Sequence, residues 1–213
     1  INQLKSDRDN KEWSGSCYGM TTAVILDKYG RIGFDENFGE EDQTSMSELG
    51  LPKQNSAIES AINYYQFSQK IDFTRKGTFC AKDNSKKWEA GLKQIVQKAR
   101  ADENILFCYQ FAAGSHALVI KDCEPTADGG YKLAVYDPRY PEAEVYVKIN
   151  GSYTECDVMG DIDGAEFTES VMKFEYLYDF NSFDSIDIDG PDNNFVLEVC
   201  PGSSVSTNTI ISI

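Results

Sequence analysis

The chain has 213 residues, enough to bury one sizeable core, and a composition of 41% hydrophobic, 12% aromatic and 26% charged residues excludes a disordered chain. A net charge of −15 argues against a nucleic-acid partner, because binding phosphates requires a basic face. No run reaches the ~18 consecutive apolar residues of a membrane helix, so no membrane insertion is expected.

The first residues, Ile1-Asn2-Gln3-Leu4-Lys5, are not a signal peptide. A start at Ile1 is expected of a trimmed or mature form that has lost a leader, which points to an extracellular or cell-surface location. The acidity is concentrated: from Gly151 onward there are thirteen Asp and Glu against one basic residue, Lys173. Six cysteines (Cys17, Cys80, Cys108, Cys123, Cys156, Cys200) show no C-x-x-C pair, so neither a zinc knuckle nor a thioredoxin-type motif is present. Cys108 and Cys123 lie in apolar, strand-like runs and are expected to be small buried hydrophobes.

In chain order, Ser14-Gly15-Ser16 opens a helix over Cys17–Tyr29, with a Ser cap, apolar residues at Met20, Ala23, Val24 and Ile25, and Gly30 as its stop. Residues 31–54 are Gly- and acid-rich and form a long surface excursion. Asn55-Ser56 with Glu59 make a capping box for a second helix through Ile58, Ala61, Ile62 and Tyr65. A third helix runs from Ser85 to about Arg100, carrying Trp88, Gly91, Leu92, Ile95, Val96 and Ala99 at three- and four-residue steps. The period then changes. Strands are predicted over Asn104–Phe111, Ser115–Cys123, Tyr131–Tyr136, Ala143–Ile149, Val171–Tyr178 and Phe195–Val199. Helices first and antiparallel sheet afterwards define an α+β fold. One main domain is expected over 1–200, with a helical part of about 10–103 and a sheet part of about 104–200. The Ser- and Thr-rich tail 201–213 would lead toward a further domain.

The chain contains one histidine, His116. Two-histidine metal sites, H-E-x-x-H proteases and Cys-His-His endopeptidases are therefore excluded, and a nucleophile with His116 and an orienting carboxylate or amide remains. Cys17 is the best nucleophile, because a helix N-terminus stabilises a thiolate through its dipole and its unpaired N–H groups. The same N–H groups can donate to an oxyanion, that of Cys17 included. His116 opens the strand after Gly114-Ser115, and Asp137 ends the next strand. Asp128-Gly129-Gly130 is a hairpin signal that should make the two residues neighbours. Asp161-Ile162-Asp163-Gly164 and Asp187-Ile188-Asp189-Gly190 echo a calcium loop without completing it and are expected to be solvated turns. No Gly-rich phosphate loop follows a strand, so no nucleotide cofactor is expected, and with one histidine, no C-x-x-C pair and no complete calcium loop no metal is expected either.

Three motifs, Trp13-Ser14-Gly15-Ser16-Cys17-Tyr18-Gly19-Met20, Gly114-Ser115-His116-Ala117-Leu118-Val119-Ile120 and Val135-Tyr136-Asp137-Pro138-Arg139-Tyr140-Pro141, resemble the Cys, His and Asp boxes of bacterial papain-like cysteine peptidases. They are similar to those of the bacteriocin-leader-processing type. The resemblance spans roughly residues 10 to 150 in three short motifs. It implies a Cys-bearing central helix packed against a C-terminal antiparallel sheet, with Cys17, His116 and Asp137 catalytic. In that family the oxyanion-hole glutamine usually lies six residues before the cysteine, where this chain has Lys11. Gln3 or Asn10 would supply the amide if the preceding loop differs in length. The expected function is hydrolysis of peptide bonds in a protein or peptide substrate through a thioester. The alternatives are a cell-wall amidase or endopeptidase with the same triad, or an inactive papain-like binding module.

Overall fold

A helix beginning at Cys17 leaves its first backbone N–H groups without intrahelical partners. The structure, a computed structural model, describes residues 16–30, 62, 65–66 and 78–178 and the backbone of 197–199 and 209–211. The chain divides into two compact units, Ile1–Arg75 with Asn181–Ile213, and Lys76–Phe180. In the first unit, α1 spans Cys17–Lys28 with Ser16 at its N-cap. The expected Ser cap takes another form: the Ser16 side chain makes no capping bond, and Gln66 Oε1 accepts the Gly19 N–H at 2.8 Å. Gly19 permits this approach, since a Cβ there would lie 2.1 Å from the Ile62 carbonyl oxygen. Gly30, at φ +63°, stops the helix as its position predicts.

Ile62, Tyr65 and Gln66 are helical, and Ile62 and Tyr65 are buried, as the spacing of the second helix requires. The rest of that helix, the excursion 31–54 and the Asp187–Gly190 turn lie outside the described residues. The backbone of this unit also pairs Leu197–Val199 with Thr209–Ile211 as a two-stranded antiparallel sheet.

The second unit contains β1 (Thr78–Ala81), α2 (Ser85–Ala99), β2 (Ile105–Phe111), β3 (Gly114–Pro125), β4 (Tyr131–Tyr136), β5 (Glu144–Ile149), β6 (Cys156–Ile162), β7 (Ala165–Ser170) and β8 (Lys173–Leu177). The described residues thus form an α+β protein with two helices and an eight-stranded antiparallel sheet of order β1-β8-β2-β3-β4-β5-β6-β7. Helix α2 belongs to the same unit as the sheet. Its N-cap is Asn84, whose side chain accepts from Lys87 N, and it buries Trp88, Gly91, Leu92, Ile95, Val96 and Ala99. That stripe joins Phe107, Leu118, Ile120, Leu133, Val147, Val158 and Phe174 in one core. No helix of the described residues is long and apolar enough to cross a membrane.

The connection between β7 and β8 dictates how this sheet is shaped. Only Val171 and Met172 separate the two strands, yet the strands stand six places apart in the sheet order. At ~4.8 Å per strand, a flat sheet would hold them roughly 29 Å apart. Three Cα steps reach about 11 Å. The sheet therefore curls until its far edge returns to β8. Backbone bonds fix the return: Val171 N donates to Cys156 O, Met172 N to Gln110 O, and Lys82 N to Met172 O.

Strands β1, β6 and β7 have no counterpart among the predicted elements. The Asp161–Gly164 turn is the tip of the β6–β7 hairpin, with Asp163 and Gly164 at φ 54° and 83° and Gly164 N donating to Asp161 Oδ1. That is the two-residue turn that favours Asp-Gly.

Gly91 lets α2 sit close to β1 and β8, because a Cβ there would meet Cys80 Sγ at 2.5 Å and Phe174 Cζ at 3.1 Å. Helix propensity favours alanine by about 1 kcal/mol, whereas overpacking a rigid core costs about 1–3 kcal/mol. Gly91→Ala should therefore lower the free energy of urea unfolding by up to about 2 kcal/mol, with a smaller cost in a Cys80→Ala background. An equal cost in both backgrounds would show that Cys80 is not what the new methyl meets.

Candidate active site

Alternation along a strand sends His116, Leu118 and Ile120 to one face of β3. Tyr109 on β2 pairs with His116, and Val119 on β3 pairs with Tyr136 on β4. Asp137 follows Tyr136 and so faces the side of the sheet that carries His116. The β3–β4 hairpin that aligns them turns at Asp128-Gly129-Gly130, with Gly129 at φ 81° and Asp128 Oδ1 accepting from Gly130 N. His116 Nε2 lies 2.6 Å from Asp137 Oδ1 across 21 residues of sequence.

Local chemistry shapes the Asp137 turn. Asp at the first position and Pro at the second favour a β-turn, and Tyr140 N donates to Asp137 O at 3.0 Å. Arg139 N also donates to Asp137 Oδ1, at 2.8 Å. The Asp137 side chain is fully buried and His116 is 7% exposed. A carboxylate only accepts, so Nε2 carries the proton in this pair. Asp137 Oδ2 is buried with no hydrogen-bond partner among the described residues. Among the described residues the imidazole is thus the one side chain that partners this carboxylate, so its loss would leave a buried charge with a single backbone donor.

Three residues that sequence reasoning does not single out complete the surroundings. Tyr109, 2% exposed, sets its ring edge-on to His116 with centroids 5.9 Å apart, and its hydroxyl donates to Glu169 Oε2 at 2.5 Å. Glu169 lies on β7, at the far edge of the sheet order, and reaches β2 because the sheet curls. Arg139 Nη2 donates to both Glu169 oxygens, at 3.1 and 3.2 Å. Burial, then the Glu169 carboxylate, pushes the Tyr109 phenol far above its ordinary value, which keeps it a neutral donor. Burial works against the Arg139 charge, but Glu169, with smaller contributions from Tyr109 and Asp137, offsets it and the net shift is upward. Arg139 stands inside the third motif, so its place in the chain was the available signal. Nothing local to Tyr109 or Glu169 announces that they meet.

Cys17, the first residue of α1, is half-buried, and its carbonyl accepts from Thr21 Oγ1 at 2.8 Å. Of the helix's leading N–H groups, that of Gly19 is engaged by Gln66, another residue the sequence does not flag. Cys17 belongs to the first unit, and His116 and Asp137 to the second. Gln3, Asn10 and Lys11 lie outside the described residues, as does Cys200. Of the two cysteines expected to be buried, Cys123 is buried and Cys108 only half-buried; Cys80 and Cys156 are buried as well. Among the described residues no three His, Cys, Asp or Glu side chains converge as a metal-ligand set.

The second unit thus presents a curled antiparallel sheet carrying a buried, hydrogen-bonded histidine–carboxylate pair. Comparison of the chain with protein-family models, curated proteins and solved structures finds no match.

Burial raises the Cys80 thiol, pushes Cys123 up to about 11 and moves Cys156 higher still. Native-state alkylation with iodoacetamide, followed residue by residue by mass spectrometry, should label Cys17 ahead of these three. For Cys123, the unfolded chain gives up its proton near 9.0 and the folded chain near 11, so over that interval the folded state binds more protons. Its contribution to stability is whole below pH 9.0 and is lost as pH rises toward 11. Urea midpoints measured across that range should fall, and a flat profile would count against the burial of these thiols.

Proposed function

We propose that this protein is a papain-like cysteine peptidase in which Cys17 is the nucleophile, His116 its base and acid, and Asp137 the residue that orients the histidine. The observation that carries the reading is the buried His116–Asp137 pair, with a 2.6 Å contact at Nε2 and a backbone donor holding the same carboxylate oxygen. A buried carboxylate bonded to the chain's one histidine is the arrangement a thiol nucleophile needs to exchange protons through the opposite ring nitrogen. The start of α1 at Cys17 adds support, since thiolate charge is favoured at a helix N-terminus.

In this mechanism the Cys17 thiolate, paired with protonated His116, attacks an amide carbonyl carbon. The tetrahedral oxyanion accepts from the Cys17 N–H and from a side-chain amide, Gln3 or Asn10. His116 gives its proton to the leaving amine, the C–N bond breaks, and a thioester remains on Cys17. Water then attacks the thioester, His116 takes the water proton, and the thiolate is regenerated. Asp137 holds the ring and stabilises its charged form throughout.

Two substitutions in unfolded-protein hydrolysis test the assignment. Cys17→Ala should abolish turnover, and Asp137→Ala should lower kcat by about two to four orders of magnitude. Alkylation of Cys17 should slow by about tenfold or more in His116→Ala, because the two groups share a proton only if they work together. Turnover that survives Cys17→Ala would sink the reading. Degradation of purified peptidoglycan in place of protein would redirect it to a cell-wall amidase or endopeptidase. Alkylation that ignores His116, together with no turnover of either substrate, would favour a binding module.

A further inference from the structure

The His116–Asp137 pair does not stand alone in the sheet. His116 contacts the Tyr109 ring, the Tyr109 hydroxyl binds Glu169, Glu169 binds the Arg139 guanidinium, and the Arg139 backbone N–H returns to Asp137 Oδ1. The circuit draws on β2, β3, the turn after β4, and β7. A second contact ties the same turn to the same strand: Tyr140 packs on Phe167 of β7 with centroids 5.7 Å apart, while the Arg139 guanidinium lies 4.8 Å from the centre of the Tyr140 ring. We infer that Tyr109, Glu169 and Arg139 are positioning residues that hold Asp137 Oδ1 on His116 Nε2, with Glu169 as the anchor of the set.

Three observations carry this. Glu169 is the sole member of the circuit on β7, and its side chain is 14% exposed although the strand's outward face is open. It spends both oxygens on the circuit, one shared between Arg139 and Tyr109 and the other on Arg139. The oxygen of Asp137 that binds His116 is the one that binds Arg139 N, so displacement of the Arg139 turn moves the acceptor itself. The inference deepens the peptidase reading by naming what sets the histidine's geometry, and its first test needs no activity.

Because His116 is the chain's one histidine, ring-15N-histidine labelling of the full chain gives a single, unambiguous imidazole. The measurement is the solvent-exchange rate of its Nε2 proton by NMR in wild type, Glu169→Gln, Tyr109→Phe, Arg139→Ala and Arg139→Lys, with the thermal midpoint of each recorded. Exchange should quicken by about tenfold in Glu169→Gln, the scale of one lost charge-assisted bond. Arg139→Ala should do the same, and Arg139→Lys, which keeps a cation for Glu169, should restore most of the protection. In the peptidase assay Glu169→Gln should lower kcat with KM unchanged, the signature of a group acting on the chemical step. Glu169→Gln is nearly isosteric and decides the matter if Arg139→Ala does not fold. Exchange unchanged in a folded Glu169→Gln would overturn the inference and leave the circuit a strut that closes the sheet, with the peptidase reading untouched. Faster exchange in a protein without peptidase activity would uphold the positioning role and remove only the peptidase reading.

Discussion

The two-residue step from β7 to β8 governs the second unit more than any single side-chain contact. Strands that are six places apart in the hydrogen-bonding order meet again end to end, and an antiparallel sheet can satisfy that demand only by rolling up. Rolling creates a concave face, and α2 fills it with the apolar stripe from Trp88 to Ala99. It also carries Glu169 to Tyr109 and Arg139. The polar cluster around His116 is a by-product of closure as much as of local sequence.

Within that cluster the Asp137 side chain is more deeply buried than those of Glu169 and Arg139. A carboxylate removed from water without partners costs several kcal/mol, and breaking a buried pair by deleting one member typically costs about 3–5 kcal/mol. Here one oxygen receives both donors and the other receives none among the described residues. Such an arrangement is a poor device for stability alone. It is a good device for holding one imidazole in one tautomer, because an acceptor fixed on Nε2 places the proton there. Neighbouring groups keep the surroundings orderly: Arg139 brings a cation, Glu169 balances it, and Tyr109 stays protonated through burial and its bond to Glu169.

How much of this could be read in the sequence follows from the range of each interaction. The six core positions of α2 are visible because a helix writes its buried face at three- and four-residue steps. Strands β2 to β5 are visible because apolar and β-branched residues dominate them, and β8 because Tyr and Phe do. Strand β1 is four residues long with an exposed Phe79, too short for a pattern. In β6 and β7, Asp, Glu and Gly occupy the positions that pattern recognition relies on, since β7 is an edge strand whose outward residues face water.

The sequence by itself determined the single histidine, its placement on a strand one hairpin away from Asp137, and the helix that starts at Cys17. Each is a local signal, carried by turn chemistry and periodicity over a few residues. Only the tertiary structure decided that Gln66 would satisfy Gly19 across 47 residues, and that Glu169 would meet Tyr109 across 60 and Arg139 across 30. Those contacts depend on the curl of the sheet and on the approach of one segment to another. No short stretch of sequence encodes such distances, because they are set by closure of the whole unit and by backbone that can come close only where a glycine allows it.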